Sequence, residues 1–214
     1  MFEKLVNSRI NDIADWIIRI VMINVMIIFF SLFVVTIYPA ISAGYNMFND
    51  YINRKETKLF KDYFKYFKEE LFKKIIIEII IATVFFLLYL NIRYYDFNLQ
   101  NQTSTFHWIG YYISLGLIAI WFAMMMFSII VMRVQNNLKL LNFFKLSFFL
   151  AGKYYFITLI LVVITLAPFM LWLVPTSLTS LLFVFTGISI PLLLNTLLTR
   201  RVVTYLEKLG GHND

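Results

Sequence analysis

Ionisable and amide side chains set inside long apolar runs are the positions where this chain could do chemistry, and they are few. Glu78 is the only acid within such a run. A carboxylate in hydrocarbon is costly without a role, so it is a candidate proton-coupling or partner-binding group. Lys74 lies one helical turn before it, which makes pairing or snorkelling to the surface the competing reading. Asn24 and Asn195 interrupt apolar helices, where an amide is expected to hydrogen-bond across to a neighbouring helix. Arg19, near the outer edge of the first run, is expected to reach lipid headgroups. His107 and His212 have no carboxylate or histidine at metal-ligand spacing, so neither points to a metal. There is no GxxxxGK phosphate loop, no cysteine, and no acidic residue between Asn98 and Thr204. The expectation is a non-enzymatic protein with no catalytic residue, metal site or cofactor.

The elements that must hold these residues are membrane helices. The chain has 214 residues, 61% hydrophobic and 14% charged, whereas soluble domains run about 45–50% apolar and about 25% charged. That much apolar surface cannot be covered by so few charges in water. A crossing takes about 20 mainly apolar residues, and five runs qualify, at about 17–38, 75–92, 109–132, 156–173 and 178–198. Pro175, Thr176 and Ser177 supply the turn between the last two. The expected fold is all-α, a single polytopic membrane domain over 1–214. The small-residue stretch Ala40-Ile41-Ser42-Ala43 resembles a signal-peptidase site, but the apolar run before it is longer than the roughly 7–15 residues of a signal peptide.

Lysine and arginine set the orientation, because cytoplasmic loops retain them. They crowd between the first and second runs, thin to Arg93 after the second, return between the third and fourth, vanish between the fourth and fifth, and reappear as Arg200, Arg201 and Lys208. Five crossings then put the C-terminus inside and the N-terminus outside, against which Lys4 and Arg9 count. The net charge of +7 sits beside apolar runs, so it fits anionic lipid headgroups and not nucleic acid. Richness in Phe, Ile, Lys and Asn resembles proteins of low-GC bacteria, and the expected location is a bacterial cytoplasmic membrane.

The basic segment is predicted to be a cytoplasmic amphipathic helix over 58–74. Phe60, Tyr63, Phe64, Phe67 and Leu71 recur at i, i+3, i+4, i+7 and i+11, with Lys61, Asp62, Lys65, Glu69 and Lys73 opposite. An aromatic face opposed by lysines suits a membrane interface or a helix packed against a partner. Phe60, Lys61, Phe64, Lys65, Phe67 and Lys68 are its candidate contact residues. An echo follows 80 residues later, where Leu140, Asn142, Phe143, Phe144, Lys145 and Lys153 match the spacing of Phe60, Asp62, Tyr63, Phe64, Lys65 and Lys73. It predicts a second intracellular helix at about 136–150, more deeply buried because it is apolar nearly all round.

Val34-Val35-Thr36-Ile37 with Pro39-Ala40, then Phe60, Phe64 and Phe67-Lys68, then Arg133, Asn137-Leu138-Lys139 and Leu146, resemble the YesL-like family of small bacterial membrane proteins. Tyr38 departs from the glycine usual there. The resemblance implies an accessory or regulatory role in sugar uptake or its sensing, beside the membrane subunits of a carbohydrate ABC importer or sensor. It brings no active-site residues. The alternative is a small transporter or channel with a path along the fourth and fifth runs, where Pro168, Gly187 and Pro191 interrupt the helix.

Overall fold

Thr36 divides the first long apolar run into two helices. The computed structural model of the chain describes residues 2–101, 104–171 and 176–210. Helix α1 (Phe2–Phe30) stops at Phe30, and after a single 3₁₀ turn at Val34–Thr36 the chain re-enters helix as α2 (Ile37–Ile52). The Thr36 hydroxyl donates to the Phe30 carbonyl at 2.6 Å and lies 2.8 Å from that of Phe33, satisfying groups that a helix end leaves orphaned. The expected first span, 17–38, is therefore corrected: it ends at Phe30. Pro39 falls in the first turn of α2, where its missing N–H has no intrahelical partner to lose.

Helix α2, absent from the sequence expectation, is the most buried element of its region, with Tyr38, Ala40, Tyr45 and Phe48 almost wholly covered. It runs back along α1, since Phe30 and Ile37 flank the turn while Asp15 and Tyr51 meet at the far end. Gly44 lies at a close approach of the two helices and the segment around Leu192. A Cβ there would lie 2.8 Å from Ile27 Cδ1 and 2.9 Å from Leu192 Cδ2.

The predicted helix over 58–74 is two helices, α3 (Leu59–Lys68) and α4 (Leu71–Asn101). Glu70 between them has φ 51°, in the left-handed region. The aromatic face of α3 is held by α1 and α2, and α3 ends before the left-handed Glu70. Leu71 thus leaves the α3 face, and Lys73 and Lys74 belong to α4. Helix α4 extends the expected 75–92 at both ends, with Asn98 donating back to the Tyr94 carbonyl at 2.8 Å. Helix α5 (Thr105–Val134) contains the expected 109–132, and α6 (Leu140–Lys153) starts and ends a few residues after the expected 136–150.

The fourth span begins as expected in α7 (Tyr155–Leu171); Leu173 and Pro175 lie outside the described residues, as does His212. Thr176 caps α8 (Ser177–Thr186) in a reciprocal capping box with Thr179. The fifth span is broken, α8 giving way to α9 (Ser189–Leu198) through a 50° bend at Gly187 and Ile188. Pro191 sits harmlessly in the first turn of α9. The tail after 198 continues as α10 (Arg200–Gly210), whose Val202, Val203 and Leu206 are buried on one face.

Among the described residues, Asn11–Phe30, Leu71–Gln100 and Thr105–Val134 are long and apolar enough to cross a membrane, and the bent pairs α6 with α7 (98°) and α8 with α9 raise the number to as many as five. The chain folds as two compact units, one of Met1–Leu71 with Val163–Arg200 and one of Phe72–Val162 with Arg201–Asp214. In the first, the α1–α2 hairpin packs on α8 and α9, with α3 across α2. In the second, α6 folds onto α5 through fully buried Phe143 and the stacking of Phe144 on Trp121 at 5.8 Å. Tyr63 and Phe143, which the 80-residue spacing aligns, are both wholly buried. The α6 helix is nevertheless half open, with Leu141, Phe148 and Phe149 exposed.

Candidate interaction surface

The α3 helix starts where Asp62 accepts the backbone N–H of Lys58 at 2.7 Å, a carboxylate at a helix N-terminus. Its inner face is fixed by aromatic packing. The Tyr63 hydroxyl donates to the Ala40 carbonyl at 3.0 Å, and the Phe30 ring sits 5.6 Å from Tyr63, 6.0 Å from Phe64 and 4.8 Å from Phe67. Burial pushes the Tyr63 phenol above its ordinary pKa. Tyr66 donates to Asp50, whose other oxygen meets Lys55 at 3.2 Å.

Of the six residues the sequence offered as contacts, Phe67 is therefore a buried anchor. The other five stay outside: Phe60 is 67% and Phe64 43% exposed, and Lys61, Lys65 and Lys68 are exposed beside them. The Lys68 ammonium lies 4.3 Å from the Phe64 ring centre, a cation–π contact that keeps charge next to the apolar patch.

Arg19 does not reach outward as expected. Its guanidinium bonds Asp15 at 2.9 Å and the Thr57 hydroxyl at 2.7 Å, and lies 4.1 Å from the centre of the Tyr51 ring. The Tyr51 hydroxyl donates to Asp15 at 2.5 Å, and Trp16 meets the Tyr51 ring edge-on at 4.2 Å. This cluster clamps α1, the end of α2 and the segment leading to α3 together. Burial, with the hydrogen bond to Asp15 second, raises the Tyr51 phenol to about 12. A folded-state value above that of the free phenol means its contribution is complete below about pH 10 and lost as pH climbs toward 12. Alkaline titration of Trp16 fluorescence is expected to show that loss, and Tyr51→Phe to remove it.

Asn24 is wholly buried and spends every polar group on the broken fifth span. Its Nδ2 donates to the carbonyls of Phe183 at 3.2 Å and Val184 at 2.6 Å, while its Oδ1 accepts from Ile188 N at 2.9 Å and Ser189 N at 2.8 Å. An unbroken helix would bond the Ile188 N–H to the Val184 carbonyl. The Asn24 amide stands between these two groups and serves both. Asn195 also bonds between helices as expected, its Nδ2 donating to the Thr165 hydroxyl of α7 at 3.2 Å.

Glu78 and Lys74 lie one turn apart on α4, and neither snorkels: 6% of Glu78 and 2% of Lys74 is exposed. Lys73, on the next face, donates to the carbonyls of Asn136 and Leu138 and so holds the α5–α6 connection. Pro168, Gly187 and Pro191 do converge, lining one apolar groove of about 310 Å³ with Phe183, Ile190 and Leu194.

Sequence reading missed the clamp and α10. Lys153 at the end of α6 lies 3.3 Å from the centre of the Tyr205 ring on α10, and the spacing of Val202, Val203 and Leu206 was the available signal for that helix. His107 lies in the first turn of α5 beside an aromatic cluster that includes Tyr95, Trp108 and Tyr112, the composition of a membrane-interface belt.

Apolar helices of crossing length, buried polar side chains bonded between helices and exposed Leu, Ile and Phe along the spans define an all-α polytopic membrane protein. Within that class, residues 20–92 match the family described as "Protein of unknown function, DUF624", and the YesL-like resemblance is consistent with that match. No curated protein and no solved structure matches the chain.

Proposed function

We propose that this protein is a non-enzymatic accessory or regulatory membrane subunit that docks a partner on the outer face of α3. The observation that supports it is the anchoring of one face of α3 by Tyr63 and Phe67 while Phe60 and Phe64 remain exposed among Lys61, Lys65 and Lys68. Rigid aromatic rings flanked by cations offer contact area at small entropic cost, with the charges selecting an acidic partner surface. The YesL-like resemblance supports the membrane subunit of a carbohydrate ABC importer or sensor as that partner. A photo-crosslinking residue at Phe60 is expected to capture such a subunit in cells. Reversing Lys61, Lys65 and Lys68 to Glu is expected to lower the yield about tenfold, as three rim charges of about 0.5 kcal/mol each would. Crosslinks to lipid alone, unchanged by charge reversal, would count against docking.

A second reading follows from the convergence of Pro168, Gly187 and Pro191 on one groove. A transport path there would suit an apolar solute. Flux in proteoliposomes holding this chain alone would establish it, and its absence would leave the groove as packing.

A further inference from the structure

The α1–α2 hairpin has polar feet at one end only. Arg19, Asp15, Tyr51 and Thr57 are joined there, Lys55 meets Asp50 nearby, and no charged residue occurs from Ile20 to Asn49. At the other end the turn is apolar and open: Phe29 is 64%, Leu32 70%, Phe33 73% and Val34 67% exposed. Each arm is short. Between Arg19 and Phe30 helix α1 rises about 17 Å, and α2 between Ile37 and Phe48 about the same, at about 1.5 Å per residue. A hydrocarbon core is about 30 Å thick. By contrast, α8 and α9 together have the length for a crossing, and α9 ends at the hairpin's feet, where Tyr45 and Thr199 bond at 3.0 Å and Arg200 donates to Asn53 at 3.4 Å.

We propose that the α1–α2 hairpin is a re-entrant wedge. It enters the bilayer from the face that carries α3 and Arg200, reaches partway through the acyl layer and returns, with Phe30 packed on α3 and the exposed Phe29, Leu32, Phe33 and Val34 side chains turned to lipid tails. Its occupant is lipid, because the turn carries no charge for a protein to read and presents four large apolar side chains to its surroundings, while the Thr36 hydroxyl covers the carbonyl that the end of α1 leaves open. The start of α1 then lies on the same side as the basic segment, the reverse of the orientation expected from five simple crossings. Lys4 and Arg9 thereby join the other cations on the side where the positive-inside bias places them.

The native chain has no cysteine, so single thiols report without background. Asp12→Cys, Lys61→Cys, Thr105→Cys and, at the turn, Leu32→Cys and Val34→Cys would be probed with a membrane-impermeant maleimide in right-side-out and inside-out vesicles. Asp12→Cys and Lys61→Cys should react from one face and Thr105→Cys from the other. The two turn thiols should react at least about tenfold more slowly from either face, since a thiol in hydrocarbon does not ionise. A fluorophore placed there should be quenched by nitroxides deep in the acyl chains. Three results would each overturn the proposal: reaction of Asp12→Cys from the face opposite Lys61→Cys, reaction of the turn thiols from the Thr105→Cys face, or shielded turn thiols that lipid nitroxides do not quench, which would mean a second copy or another protein covers the turn.

Discussion

Asn24→Leu is expected to destabilise the protein by about 3–5 kcal/mol. Leucine keeps the branched four-atom skeleton of asparagine with bulkier methyl ends, so the change removes the polarity and adds some crowding at a site with no free space. Four hydrogen bonds disappear at once. Interhelical bonds in membranes average only about 0.6 kcal/mol each, and four of them give roughly half the expected effect. The remainder comes from the Ile188 and Ser189 N–H groups, left beside a methyl group at about 1–3 kcal/mol for each buried donor without a partner. Gly187 gives the bend its room, because a Cβ there would sit 2.7 Å from the Phe183 carbonyl oxygen. Asn24→Asp should be as damaging, since a carboxylate keeps the acceptor but presents no donor to Phe183 and Val184. Unfolding in a graded SDS or thermal titration measures the loss. A change under about 1 kcal/mol would mean that the bend is stabilised by something other than this amide.

The second large effect belongs to Lys74 and Glu78. Only 2% of Lys74 and 6% of Glu78 is exposed, and the two stand one helical turn apart, so removing one charge takes an opposite charge from the neighbourhood of the other. Such single removals cost about 3–5 kcal/mol, whereas exchanging both members for apolar residues of similar size is often neutral. Lys74→Leu and Glu78→Leu should each destabilise strongly, and the double variant should recover most of the loss. The double-mutant cycle is the measurement. Additive effects below about 1 kcal/mol would show that the two charges do not depend on each other. Glu78→Gln, tested for flux in proteoliposomes, separates this structural account from a proton-coupling one.

What the sequence made legible is instructive in its particulars. The α5 span, an uninterrupted apolar run, appears where periodicity and length place it, and the polar roles of Asn24 and Asn195 follow from the cost of an amide in hydrocarbon. The turn after Phe30 was illegible because the usual punctuation of turns is glycine, proline and aspartate, chosen for water. Here Leu32, Phe33, Val34 and Val35 follow Ser31, and besides that serine the Thr36 hydroxyl, which donates to the Phe30 carbonyl, marks the break. The division of 58–74 was hidden for another reason. Leu71 keeps the period of the α3 face, so the pattern runs on across a left-handed Glu70 that no local residue type announces. Arg19 was misplaced because its partners, Tyr51 and Thr57, come from a connection whose course no local pattern reveals.

The bonds between Asn24 and the α8–α9 break join residues 159 to 165 positions apart in the chain. During synthesis at about 5–20 residues per second, the hairpin leaves the ribosome roughly 8–30 s before the backbone it serves. For that interval the Asn24 amide has none of its final partners, and the wedge cannot complete its packing. Assembly of the N-terminal third is therefore gated by delivery of the last span, and a chain truncated before Ser177 should leave this hairpin accessible to the quality-control proteases of the membrane.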